Sequence, residues 1–223
     1  MGDALHILGG QLQGQGRYDE ALQYHRRAVA LWEKTLGPSH IRLWDPLTSI
    51  GSILVLQGKY EEALTSHRHA LAISEQTGPP GHPRIGYSLA YIGEALRRQG
   101  KEEEALDYFR RALANLEKAL GAQHPDLATV LTDMGLAELQ RHAPARALPS
   151  LTRALEIGER QPGDPADLAN TRFGLARALW ETGRDRSRAR RLAEQARAGY
   201  VGVGAKSRTE LAEVDAWLGE HRQ

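Results

Sequence analysis

A spacing of 42 residues recurs along the chain and limits what it can fold into. One glycine series, two alanine series and one histidine series all keep it. Because independent series agree on one period within the range of roughly 20 to 50 residues, the sequence predicts stacked supersecondary units. The members are Gly9, Gly51, Gly93 and Gly135; Ala21, Ala63, Ala105 and Ala147; Ala28, Ala70, Ala112, Ala154 and Ala196; and His40, His82 and His124.

Each unit is predicted to contain two helices, which we call helix A and helix B. Helix A carries apolar residues at helical spacing and ends near a glycine such as Gly58. Helix B opens with acidic residues such as Glu61 and Glu62, which suit the positive end of a helix dipole. The segment "QGKYEEAL" at 57–64, repeated with small changes at 15–22 and 99–106, is therefore the predicted corner between the two helices.

The glycine series predicts close contact between helices. A glycine in the middle of a helix costs roughly 1 kcal/mol relative to alanine, so its repetition indicates a position where a neighbouring helix leaves no room for a side chain. The alanine series supply a matching small face on helix B, and larger residues around them are expected to fill the remaining space.

The residues at these positions carry a family resemblance. Gly51, Tyr60, Ala63 and Ala70 match the small, aromatic and alanine positions of the tetratricopeptide repeat, which this sequence resembles over roughly residues 3–200. The longer unit, with a closing His-Pro, is similar to the kinesin-light-chain type and to the repeat tails of large bacterial signalling proteins. The resemblance implies an all-α fold, a right-handed α-solenoid of about five helix pairs. The asparagine pair with which kinesin light chains engage cargo is missing, so their specificity is not implied.

The predicted organisation is one solenoid domain over 1–223, closed by a capping helix at 207–221. Leu211, Val214 and Trp217 lie on one face of that helix, and Ser207 or Thr209 is the predicted N-cap. Since the chain begins almost inside a helix, we expect it to be a fragment of a longer protein. The predicted repeats are 3–40, 43–82, 85–124, 127–163 and 166–201.

Composition excludes several classes of function. The 223 residues have a net charge of +1 and no cysteine, which argues against a dedicated nucleic-acid binder and excludes thiolate chemistry. The sequence has no apolar run long enough to span a membrane and no signal peptide, so we predict a cytoplasmic protein without membrane insertion.

Three further sequence features resemble sites of chemistry. The histidine series cannot converge on a metal ion, because packed helices are roughly 8–10 Å apart and metal–nitrogen bonds are about 2 Å long. The segment "GYVGVGAKS" at 199–207 lacks the adjacent Gly-Lys-Ser of a phosphate-binding loop, and is predicted to be a flexible link. The arginine-rich segment 184–197 is predicted to be a solvated helix face, with an acidic partner as the functional alternative. We predict no enzyme activity, catalytic residue, metal or cofactor.

The predicted function is a scaffold that binds a protein or peptide segment in a concave groove lined by helix A. A regulatory tail of a bacterial serine/threonine kinase or other signalling protein is one alternative. A self-assembling homo-oligomer, with contacts through Trp44 or Trp217, is the other. The candidate binding residues are the helix-A positions His6, Asp45, Ser49, Ser52, Tyr87, Tyr91, Glu94, Arg97, Asp133 and Arg172.

Overall fold

The described part of the protein is built from helices. The computed structural model describes residues 1–161 and 163–221, apart from the side chains of residues 205 and 206. Pro162, in a predicted linker, lies outside the described residues, as do Arg222 and Gln223. Among the described residues, no helix has the length and apolar character of a membrane span. The helices are α1 (Gly2–Gly14), α2 (Tyr18–Leu36), α3 (Trp44–Leu56), α4 (Tyr60–Thr77), α5 (Pro83–Arg98), α6 (Glu102–Leu120), α7 (Asp126–Gln140), α8 (Pro144–Arg160), α9 (Pro165–Glu181), α10 (Arg186–Val203) and α11 (Arg208–Glu220), with short 3-10 helices at Ile41–Leu43 and Gly204–Ser207.

The helices alternate as predicted, with odd numbers as helix A and even numbers as helix B up to α10. Each helix A packs against the helix B that follows it. The predicted all-α fold, an α-solenoid made of helix pairs, is confirmed. Helices α2, α4, α6 and α8 end at Leu36, Thr77, Leu120 and Arg160.

The repeated octapeptide forms the corner between helix A and helix B. Gly58 has a φ of 74°, a left-handed conformation that glycine adopts without a steric penalty. The next amide, that of Lys59, donates a 2.9 Å hydrogen bond to the carbonyl of Leu54 and so closes the end of α3. In the fourth repeat His142 stands at this corner with a φ of 55°, where a side chain makes the conformation costlier.

The corners also connect neighbouring repeats. The side-chain amide of Gln57 donates a 2.9 Å hydrogen bond to Asp19 Oδ1. The side-chain amide of Gln99 donates a 2.6 Å hydrogen bond to Glu61 Oε1. The hydrogen bond from Gln99, with the nearby Lys101 ammonium, lowers the pKa of the Glu61 carboxyl. The corner is therefore a structural contact between successive helix pairs.

The loop histidines cap the helices that follow them. Nδ1 of His40, His82 and His124 accepts a hydrogen bond from the backbone amide two residues later, at 3.1 to 3.3 Å. This satisfies one of the amides that the first turn of a helix leaves without an intrahelical partner. The histidine series is thus explained by local backbone geometry.

The chain divides into two compact units, Met1–Leu120 and Gly121–Gln223. In the first unit, Trp32, Trp44 and Ile73 belong to a buried cluster against which Tyr87 and Tyr91 pack. In the second, a buried cluster gathers Leu151, Phe173, Tyr200 and Val214 from α8 to α11. The single solenoid domain over 1–223 stays a prediction.

The C-terminal segment differs from expectation in two details. The predicted flexible link at 199–207 is helical, since α10 continues to Val203 and a 3-10 helix follows. Ser207 is the N-cap of α11 but makes no side-chain capping hydrogen bond. α11 is held by the buried Val214 and by Trp217, which packs edge-on against Phe173 and Trp180.

Trp44, predicted as an exposed contact for self-assembly, is buried. Its exposed fraction is 9%, and its indole Nε1 donates a 2.8 Å hydrogen bond to Ser88 Oγ. Since a buried indole is unavailable to another protein, Trp44 gives no support to self-assembly. The suggestion was wrong because the repeat period does not show which face of α3 packs against α5.

Candidate functional site

The contact between helix A and helix B, which we call the seam, fixes the orientation of each helix A. A Cβ added to Gly9 or Gly51 would lie 2.6 or 2.3 Å from the imidazole of His25 or His67. A Cβ added to Gly93 would clash with the side chain of Phe109, and one added to Gly135 would clash with that of Leu151. A large side chain of helix B therefore occupies the space that each glycine leaves, which confirms the predicted close contact and identifies its partner.

The first seam lies directly behind His6. His25 is completely buried, and its Nδ1 is 3.1 Å from Nδ1 of His6, so one ring donates a hydrogen bond to the other. Burial and, to a lesser extent, the neighbouring His6 lower the pKa of His25 to about 4. His25 is therefore neutral at physiological pH and orients a half-exposed imidazole on α1.

The second seam lies behind Tyr91. The buried ring of His67 stacks on the Tyr91 ring, with centroids 5.3 Å apart and planes inclined by 17°. Burial lowers the pKa of His67 to about 4, so this imidazole is also neutral. The stacking and the core cluster below it hold Tyr91 in a fixed position on α5, with part of its ring exposed.

The candidate residues on α3 form a polar strip. Asp45 is exposed, and its carboxylate is 4.0 Å from the guanidinium of Arg84, which in turn lies 5.3 Å from the ring centre of Trp44. Ser49 is half-buried and donates a 3.0 Å hydrogen bond to the carbonyl of Asp45. Ser52, also half-buried, lies one turn further along the helix.

The candidate residues on α5 combine aromatic and charged groups. Tyr87 and Tyr91 lie one turn apart and are both half-buried. Glu94 follows, with its carboxylate 4.0 Å from the guanidinium of Arg98. Arg97 differs from the others because its exposed fraction is 7%, so most of its side chain is inaccessible to a partner.

The predicted residues on α1, α3 and α5 are at least partly exposed, apart from Arg97. α3 contacts both α1 and α5. We call this set the helix-A surface; it comprises His6, Asp45, Ser49, Ser52, Tyr87, Tyr91 and Glu94.

The two candidates in the second unit lie on separate helices. Asp133 is half-buried on α7. Arg172 is half-buried on α9 and donates a 3.2 Å hydrogen bond to Glu159 of α8. That ion pair orients the guanidinium within the second unit.

Three residues of the site were missed from the sequence. His25 and His67 support the surface from behind, and Arg84 joins Asp45 to Trp44. The signal for the histidines was present, since they occupy the same late helix-B position as Phe109 and Leu151. Arg84 had no such signal, because its role depends on the approach of α5 to α3.

Comparison with known proteins agrees with this architecture. A family model described as tetratricopeptide repeat matches residues 1–76, 43–118 and 84–160. No curated protein sequence matches the chain significantly.

Solved structures show the same fold at low sequence identity. A Podosopora anserina putative kinesin light chain with nearly identical repeats is 22% identical, with a TM-score of 0.69, and the match covers 91% of this chain and 96% of that one. BtubC (BKLC) from P. vanneervenii is 21% identical, with a TM-score of 0.74 and coverage of 91% and 81%. A Rap protein complexed with competence and sporulation factor is 14% identical, with a TM-score of 0.72 and coverage of 98% and 64%.

Proposed function

Because this chain belongs to the tetratricopeptide repeat family, whose repeats serve as protein–protein interaction scaffolds, we propose that it binds a peptide segment of a partner protein on the helix-A surface of its first unit. The repeat is in general a non-catalytic scaffold, and we assign no reaction to it. The Rap protein, a structural neighbour, was solved with a bound factor, which supports a binding role for this fold.

The observation that carries this proposal is the tyrosine pair on α5. Tyr87 and Tyr91 are partly exposed and yet held by the core cluster, and Tyr91 is stacked on His67. Aromatic side chains that are already ordered lose little conformational entropy on binding, and such residues dominate binding energies at interfaces.

The polar groups of the helix-A surface would select the ligand. Asp45 and Glu94 supply carboxylates, Ser49 and Ser52 supply hydroxyls, and His6 supplies an imidazole. This surface has no cluster of lysines or arginines among its members, so it is unsuited to clamping a terminal carboxylate. We propose an internal segment with aromatic or aliphatic side chains and at least one cationic group.

The remaining predictions from the sequence are retained as proposals. These are the absence of a nucleic-acid ligand, a cytoplasmic location, and the alternatives of a kinase-tail role or a homo-oligomer. Asp133 and Arg172 are proposed as additional contacts on the second unit.

The test is a peptide selection followed by matched variants. Random peptides displayed on phage are selected on the whole chain, and the affinity of the best one is measured by fluorescence anisotropy. We expect Ser49→Arg with Glu94→Arg to weaken binding by at least about tenfold, or about 1.4 kcal/mol, because both changes place bulk and positive charge on the proposed binding surface.

The matched control is Thr35→Arg with Glu104→Arg on helices α2 and α6. Thr35, like Ser49, donates its hydroxyl to a carbonyl of its own helix, and both control positions are exposed. This control should keep its affinity within about twofold. Equal affinity of both double variants would show that the peptide binds elsewhere.

A further inference from the structure

The beginning of α10 carries the densest group of positive charges among the described helices. Residues 184–191 contain five arginines and one acidic residue, Asp185. The side chains of Arg184, Arg186, Arg188 and Arg191 are all exposed. This group, which we call the arginine patch, lies entirely within the second unit and is independent of the helix-A surface.

The charge pattern is the reverse of that in the first three repeats. The helix B of each of the first three repeats begins with acidic residues, whereas the first turn of α10 contains none. Cations near the start of a helix are repelled by its dipole, so the patch does not serve the stability of α10.

Little in the protein neutralises the patch. Arg190 pairs with Glu194, and Arg197, further along α10, pairs with Asp215. The four patch arginines have no carboxylate within 4.0 Å in the part of the chain that the structure describes. The single acidic residue among them, Asp185, is used as the N-cap and accepts a 2.8 Å hydrogen bond from the amide of Arg188.

Two of the patch arginines are held in place by neighbouring side chains. The guanidinium of Arg186 lies 5.1 Å from the ring centre of Trp180, a favourable cation–π arrangement. Arg191 donates a 2.7 Å hydrogen bond to Ser187 Oγ. These contacts restrict both side chains but leave their charge uncompensated, so the guanidinium groups are ready to pair with carboxylates.

We propose that the arginine patch binds an acidic peptide segment, one rich in aspartate and glutamate, of a partner protein. Within α10, positions 186 to 191 extend over about 8 Å of helix length, which two or three residues of an extended peptide would span. Arginine forms paired hydrogen bonds with carboxylates, and the opposite charges accelerate association. Aromatic side chains are not interleaved between the arginines, which favours a peptide over single-stranded nucleic acid.

The experiment uses the whole chain and a fluorescein-labelled hexaglutamate peptide, with binding followed by anisotropy. The patch variant combines Arg184→Glu, Arg188→Glu and Arg191→Glu. The matched control combines Arg27→Glu, Arg68→Glu and Arg110→Glu, which are exposed positions on α2, α4 and α6 and change the net charge equally.

We expect the patch variant to lose at least about tenfold in affinity and the control to lose less than about threefold, with weaker binding as salt is raised. The patch variant should fold, because acidic residues suit the start of a helix, and circular dichroism checks this. The neutral variant with glutamine at the same three positions gives a second measurement and should lose affinity to a smaller extent.

Three results would overturn the proposal. The first is failure of the unaltered chain to bind hexaglutamate at low salt. The second is equal loss in the patch and control variants, which would show a response to net charge alone. The third is tighter binding of a labelled single-stranded oligonucleotide of equal charge that is lost in the same patch variant, which would make the partner a nucleic acid.

Discussion

The seams of the first two repeats and those of the next two use the same backbone position for different chemistry. In the first two, a glycine of helix A faces a buried imidazole, that of His25 or His67. In the third and fourth, the equivalent glycine faces Phe109 or Leu151, which are equally buried. The geometry of the repeat therefore requires volume at this position and does not require a particular side chain.

The two types of seam differ in titration and in their contact with the proposed binding surface. A buried imidazole must stay neutral, whereas Phe109 and Leu151 carry no titratable group. Each imidazole also contacts a residue of the proposed binding surface, since His25 meets His6 and His67 meets Tyr91. The first two seams thus couple the packing of a helix pair to the surface in front of it.

The largest expected effect is a loss of stability in acid. The pKa of His25 and of His67 is lowered from 6.5 to about 4 in the folded chain. Their contribution to the free energy of unfolding is therefore complete above about pH 6.5 and is lost as the pH falls toward 4. Each imidazole should cost about 3 kcal/mol of unfolding free energy at pH 4. Urea unfolding at several pH values measures this.

The control for this effect replaces both imidazoles by a ring that does not titrate. His25→Phe with His67→Phe should flatten the acid limb of the stability curve, whereas His142→Asn at an exposed corner should leave it unchanged. If the double variant loses stability in acid as steeply as the unaltered chain, carboxylates and not these histidines control the acid response.

The second effect concerns the space at the seam. Gly9→Ala places a Cβ 2.6 Å from the His25 ring and should destabilise by about 1 to 3 kcal/mol. The adjacent Gly10→Ala has no atom within 4 Å and should stabilise by about 0.5 to 1 kcal/mol through helix propensity. Thermal or urea unfolding of the two variants gives the comparison.

A double variant shows whether the Gly9 effect arises at the seam. In a His25→Ala background the ring is gone, so Gly9→Ala should no longer be costly. An unchanged cost in that background would mean that the clash with His25 is not its cause.

The third effect is that of replacing a seam imidazole by the phenyl ring found in the third repeat. His67→Phe alone should change the unfolding free energy at pH 8 by less than about 1.5 kcal/mol, because Phe109 already occupies the equivalent space. A loss of more than about 3 kcal/mol would show that the second seam is specific for imidazole.

The smallest effect is expected at the corner, which is common to repeats with either type of seam. Gln99→Ala removes the hydrogen bond to Glu61, so the pKa of that carboxyl should rise toward its ordinary value with little change in stability. Carboxyl titration by NMR measures the rise, and Lys101→Ala should raise the same pKa. Gln57→Ala, at the preceding corner, should leave the Glu61 titration as it is.

Much of the fold was predictable because its signals are local and repeated. Glycine at Gly58 ends helix A, and Glu61 and Glu62 begin helix B, so the period of these residues defines the helix pairs. The site was less predictable. That His67 lies beneath Tyr91, and that Arg97 is buried, depends on how side chains from three helices fill shared space. The period shows that a position repeats but not what it contacts.

We expect a partner peptide to bind the helix-A surface, which lies in front of the imidazole seams. NMR of the histidine ring resonances, during titration with the peptide selected on the whole chain, tests this most directly. Because His67 is stacked beneath Tyr91, its ring resonances should shift on binding, while those of the exposed corner residue His142 should not. Shifts of the His142 resonances with unchanged His67 resonances would show that the peptide binds elsewhere.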